Sequence, residues 1–137
     1  MKWLLKRFHD DGWPVALIGF VGLNGGMIEY DGYPCYPNMM DTWGSDALLY
    51  HANHFKANVR FTMMDVPMLN PQFMQQMPNW ISYTPIDQEP IPPAVLDRLR
   101  LAYKIITFSQ WGHDALQRAG FTSTLILEGT DVNVFKP

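Results

Sequence analysis

Residues able to do chemistry fall at a few places in this chain. Asp65 follows an apolar stretch that ends at Met64, and it precedes Pro67. A lone carboxylate there can accept hydrogen bonds from a ligand's hydroxyl groups, or it can cap the turn before the proline. Asp87 and Glu89 lie in the segment 85–93, which carries four prolines and reads as a loop. Asp87 can contact a substrate or hold an Asx turn. As an acid/base pair, the two carboxylates would suit glycoside hydrolysis, but nothing in the sequence fixes their separation. Ser109 opens a helix, where free N–H groups favour an anion, yet its first role is that of a cap. Trp111, two residues on, can stack on a sugar ring or simply pack.

Other candidates are weaker. His51 and His54 share a helix face, but a metal site needs further ligands at fixed spacing, and none is present. Gly22, Gly25 and Gly26 tempt a phosphate-loop reading. No Lys-Ser/Thr pair follows them and no helix starts there, so a turn is the plainer reading. Cys35 is the single cysteine, which rules out an intrachain disulfide and fits a reducing, cytoplasmic setting. No motif surrounds it, so it reads as a packed thiol.

A chain of 137 residues fits one domain, and 47% hydrophobic residues suffice for a core. The net charge of −3 gives no basic footprint for nucleic acid. Lys and Arg are scattered, which argues against a polybasic membrane patch. Charged residues make up 17%, below the roughly 25% of ordinary soluble domains. With five Trp and nine Met, the surface should carry apolar patches suited to facing another domain. No signal-peptide pattern opens the chain, and no run reaches the ~20 apolar residues of a transmembrane helix.

The elements follow from pattern. An amphipathic helix is expected over 2–11, closed by Gly12, and an apolar strand over 15–20, buried on both faces. Residues 27–30 and 33–36, split by Asp31-Gly32, predict a β-hairpin, with Pro34 assigning its second arm to an edge. A helix follows over 46–58, with Ser45 as its cap, then a strand over 59–64. After an irregular stretch with a short helix beginning near Pro71, a strand runs over 79–84. Pro92 and Pro93 open a helix that reaches about residue 102. The last unit is a strand over 103–108, the Ser109 cap, a helix over 110–119 closed by Gly120, and a strand over 124–127. Strands alternating with helices predict an α/β fold: a Rossmann-like, doubly wound, mostly parallel sheet with a small β-hairpin insertion. Ligands of such sheets sit at the carboxyl ends of the strands, which gathers 19–26, 65–67, 83–88 and 109–112, with Asp65, Asp87, Ser109 and Trp111 among them, on one rim.

The closing layout resembles the end of the N-terminal half of a GT-B glycosyltransferase of the retaining, family 4-like group. That pattern is strand, Ser, helix ending in Gly, strand, then a Gly-x-Asp-x-x-x-Phe-x-Pro stretch leading to the donor domain. Ser109, Gly120, Gly129, Asp131, Phe135 and Pro137 fall on it. Glu128 and Thr130 stand where Asn or His and Val are more usual. The segment from Tyr83 to Asp87 also resembles a Tyr-x-Pro-x-Asp turn of one branch of that group. The resemblance implies that 1–130 is the acceptor-side domain and that 131–137 begins the interdomain linker, a hinge for cleft closure. The donor domain does not follow.

The implied activity is transfer of a sugar from a nucleotide-sugar to an acceptor hydroxyl (of a sugar, lipid or protein) with retention. It would need no cofactor and no metal, and the chain alone would be inactive. Asp65, Asp87, Ser109 and Trp111 are the substrate-binding candidates, and no catalytic residue is assigned. In that family a strand and a Gly-rich loop precede the first helix, so this chain is expected to lack its opening strand. The alternative is a free-standing α/β binding module without catalysis. A hydrolase reading lacks the Gly-x-Ser-x-Gly elbow.

Overall fold

The computed structural model describes residues 2–129 and Val134. Residues 131–133 and 135–137, where the linker motif falls, lie outside the described residues. The chain divides into two compact units, Met1–Ala57 and Asn58–Pro137.

The first unit opens with α1 (Lys2–Asp10). Gly12, at φ 85°, accommodates the left-handed turn that ends it, and the Trp13 N–H returns to the Phe8 carbonyl. Strand β1 (Leu17–Gly19) is shorter than its apolar run and only half-buried. The predicted hairpin forms as β2 (Ile28–Tyr30) and β3 (Tyr33–Pro37). Asp31 and Gly32 both take positive φ, as a two-residue primed turn demands.

The hairpin is not an insertion at the margin of a larger sheet, however. Strand order is β1-β3-β2, so β3 is central and pairs in parallel with β1. The edge assignment from Pro34 is therefore wrong. Tyr30 and Tyr33 close the hairpin as its hydrogen-bonded pair, so Pro34, opposite Glu29, turns its missing N–H away from β2. On the other side, β1 pairs only from Cys35 onward. The proline thus sits just outside the ladder on the one side where a donor would be needed.

Helix α2 (Ser45–His54) also departs from expectation at its start. Gly44, in the left-handed region, is the N-cap residue, and Ser45 is the first helical residue, fully buried. Capping passes to two aspartates. Asp41 accepts the backbone N–H groups of Trp43 and Ser45, and Asp46 accepts those of Met40 and Asp41. Both carboxylates sit at the positive end of the helix dipole. The helix stops at His54, short of the residues expected to extend it to 58.

The second unit is a four-stranded, wholly parallel sheet, Rossmann-like, in the order β4-β5-β6-β7. Its strands are Arg60–Met63, Trp80–Tyr83, Lys104–Thr107 and Thr124–Leu125. A short 3-10 turn at Val66–Met68 and helix α3 (Pro71–Met74) connect β4 to β5. Helix α4 (Pro93–Leu99) leads to β6 and α5 (Gln110–Arg118) to β7. The order runs one way, so the reversal of direction that a doubly wound sheet requires does not occur within this unit.

Alternation along the strands puts Arg60, Thr62, Trp80, Ser82, Ile105 and Thr107 on one face, and all are buried. That face is unusually polar. The Trp80 indole N–H donates to Thr62 Oγ1 at 2.9 Å, which satisfies the largest fully buried side chain. The hydroxyls of Ser82 and Thr107 have no hydrogen-bond partner among the described residues. Gly112 of α5 lies against this layer. A Cβ placed there would stand 2.9 Å from Thr107 Oγ1, 3.0 Å from the Ile86 Cβ and 3.0 Å from Ser109 Oγ.

Two stability changes of opposite sign follow. Thr107→Val removes a buried, unpartnered hydroxyl at nearly constant volume, and should be neutral or stabilising by up to about 1 kcal/mol. Gly112→Ala should destabilise by about 1–2 kcal/mol, because the clash with the rigid Ile86 Cβ outweighs the helix propensity gained. Urea unfolding of the two variants checks both signs.

Candidate functional site

All four strands of the second unit point their carboxyl ends the same way, so the loops that follow them share one rim. The loop after β4 starts at Met64, and Asp65 turns the chain into the 3-10 turn while offering no side-chain cap to it. The loop after β5 runs from Thr84 to Pro92. The two loops and α4 line an open pocket of about 230 Å³. Asp65 and Asp87, singled out independently in the sequence, both line it. Val66, Pro67, Met68, Pro85, Pro92 and Val95 give it apolar walls, and Thr84 and Gln88 add polar groups. Thr84 is fully buried, and its hydroxyl makes only a long contact of 3.4 Å with the Pro85 carbonyl.

Neither Asp65 nor Asp87 is capping or ion-paired among the described residues, so both carboxylates are available to a ligand. The capping alternative for Asp65 and the Asx-turn alternative for Asp87 thus find no hydrogen bond to carry them. Thr84 and Gln88 fall within the stretch 83–88 expected at the rim, although neither carries a signal that singles it out.

The remaining candidates lie outside the pocket: the start of α5 shares the rim, whereas 19–26 follows β1 of the three-stranded sheet. Ser109 is the N-cap of α5, its Oγ accepting the Gly112 N–H at 3.0 Å. Trp111 is 45% exposed on the same helix. Neither is among the residues that line the cavity. Glu89 is no partner of Asp87 in acid/base work. Its carboxylate is taken by Arg118 at the end of α5, with Nε and Nη2 each 2.8 Å from a carboxylate oxygen. This bidentate clamp ties the loop that carries Asp87 to the last helix.

In the first unit, His51 stacks on Tyr36 with ring centroids 4.7 Å apart, and its Nε2 lies 3.2 Å from the Pro37 carbonyl oxygen. His54 meets the edge of the same tyrosine. Both histidines are thus packing groups. Among the described residues, no group of three or more His, Cys, Asp or Glu is placed to hold a metal. Cys35 is buried, and burial pushes its thiol up from the ordinary value, away from nucleophilic use. No helix among the described residues is long and apolar enough to cross a membrane.

Fold and site together define an α/β protein with a Rossmann-like parallel sheet and an acidic, partly apolar cavity at its carboxyl rim. No protein-family model matches the sequence, and neither a curated protein nor a solved structure matches the chain.

The clamp has a pH dependence of known sign. The hydrogen bonds from Arg118 hold the Glu89 carboxyl below the usual glutamate range. A carboxylate depressed in the folded state stabilises it above the unfolded pKa, and that stabilisation is lost as pH falls through the folded pKa. The loop 85–92 should therefore loosen on acidification, seen as movement of the buried Ile86 and Ile91 methyl resonances toward random-coil positions. Arg118→Gln should give the loosened behaviour already at neutral pH.

Proposed function

We propose that this chain is the acceptor-side domain of a retaining GT-B glycosyltransferase, with the acceptor seated in the cavity of Asp65 and Asp87. The carrying observation is that these two carboxylates, placed by sequence at two different strand ends, line a single cavity on the ligand-binding rim of a parallel sheet. Supporting it, the strand, Ser cap, helix, Gly and strand of the resembling motif form as β6, Ser109, α5, Gly120 and β7. Carboxylates accept hydrogen bonds in pairs from vicinal hydroxyls, and apolar walls suit the faces of a sugar ring. In this reading a nucleotide-sugar binds chiefly to a C-terminal donor domain, and the acceptor hydroxyl is held against it as the cleft closes. Ser109 and Trp111 would face the donor side of the cleft rather than the acceptor. The setting would be cytoplasmic, where nucleotide-sugars are made available to such enzymes.

A non-catalytic binding module is the second reading. It draws on the exposed apolar residues of the first unit, with Met40 at 93% and Val21 at 79% exposed.

The readings part on one experiment. This chain alone should transfer no sugar, and joining it to a donor domain on one polypeptide should restore transfer. Asp65→Ala and Asp87→Ala in that fusion should each raise the acceptor KM by about tenfold, the loss of one charge-assisted hydrogen bond. Transfer that is unchanged in both variants would remove the acceptor assignment, and no transfer from any fusion would favour the binding module.

A further inference from the structure

Asp87 is exposed on a proline-rich loop, yet the chain on both sides of it is fastened to one helix. On one side the buried Ile86 packs against Gly112 of α5, so closely that a Cβ at that glycine would stand 3.0 Å from the Ile86 Cβ. On the other side Glu89 is held by Arg118 in the last turn of the same helix, with two nitrogens each 2.8 Å from a carboxylate oxygen. Gly112 and Arg118 stand about 9 Å apart along the helix axis. The chain from Ile86 to Glu89 reaches at most about 11 Å. That segment is therefore laid along α5, with Asp87 between its two attachments. The clamp adds little to the stability of the whole fold, because its side chains are 54% and 40% exposed. What it fixes is direction, since the planar guanidinium donates two parallel hydrogen bonds to one carboxylate. Neither Gly112 nor Arg118 lines the pocket.

We infer that α5 sets the place of Asp87 in the pocket, with Gly112 and Arg118 as positioning residues that act through Ile86 and Glu89. The helix that carries Ser109 and Trp111 at the rim is thereby joined mechanically to the pocket, and a displacement of α5 is felt at Asp87. This coupling goes beyond the acceptor reading, because it holds for whatever the pocket takes.

The test is NMR of the full chain with no ligand added. It follows the amides of Asp87 and Gln88 and the methyl groups of Val66, Met68 and Val95, which line the pocket from other elements. Arg118→Gln and Glu89→Gln, both at exposed positions, should displace these resonances in the same direction and to a similar extent. The double variant should displace them no further, because either change opens the same clamp. The urea midpoint of these clamp variants should hardly move. Gly112→Ala, which pushes on Ile86 at the other attachment, should displace the same set of resonances. If that variant fails to fold, the clamp variants decide alone. Pocket resonances at their wild-type positions in Arg118→Gln would overturn the inference, because the pair would then be a surface contact only. Displacements that add in the double variant, or that stop at Glu89 and its neighbours without reaching Met68 and Val95, would overturn it as well. No sugar enters these measurements, so their failure leaves the acceptor reading to its own experiment.

Discussion

Parallel strands cannot be joined by tight turns. Each must be followed by a crossover that carries the chain back to its starting end. In the second unit this constraint is applied three times in succession, from β4 to β7, and everything at the rim depends on it. It brings Asp65, leaving β4, beside the loop that leaves β5, although more than a score of residues separate Asp65 from Asp87 in the chain. It also delivers the start of α5 to the same end of the sheet, where Gly112 lets the helix approach Thr107 and Ile86 closely. The cavity is the space that the crossover from β4 leaves beneath α4.

The loop after β5 would be a poor platform by itself, since a proline-rich segment makes few backbone hydrogen bonds. Its order comes from its ends and one tether. Thr84 donates its N–H to Ile106, which continues the sheet pattern one residue past the strand. Ile86 and Ile91 are buried beneath the loop, and Glu89 is clamped by Arg118. Asp87 and Gln88, between these anchors, are exposed and line the pocket. A site residue on such a loop is positioned by packing on either side of it rather than by its own contacts.

Much of the second unit was legible in the sequence, because each element carries its own local signal. Ser109 before a helix, Gly120 after it, and Pro92-Pro93 at a helix start each announce a boundary through backbone chemistry that does not depend on distant partners. The first unit was harder for the opposite reason. Whether β3 is an edge or a centre depends on which side of it β1 chooses, and Pro34 allows the centre only because β1 begins pairing one residue later. The cap of α2 was misassigned because Ser45 is a strong cap type, whereas the groups that serve are Asp41, four residues earlier, and Asp46. The two cavity carboxylates were legible as strand-end residues. That they share one cavity was not, since sequence spacing across a crossover does not give distance in space.

The central claim is that the cavity at the ends of β4 and β5 is where this protein holds a sugar. A crystal structure of the chain grown with a bound hexose tests it most directly. The account predicts the ring against Met68 and Val95, with hydroxyls donating to Asp65 and Asp87. A hexose bound at another surface, with this cavity left to solvent in the same crystal, would contradict it.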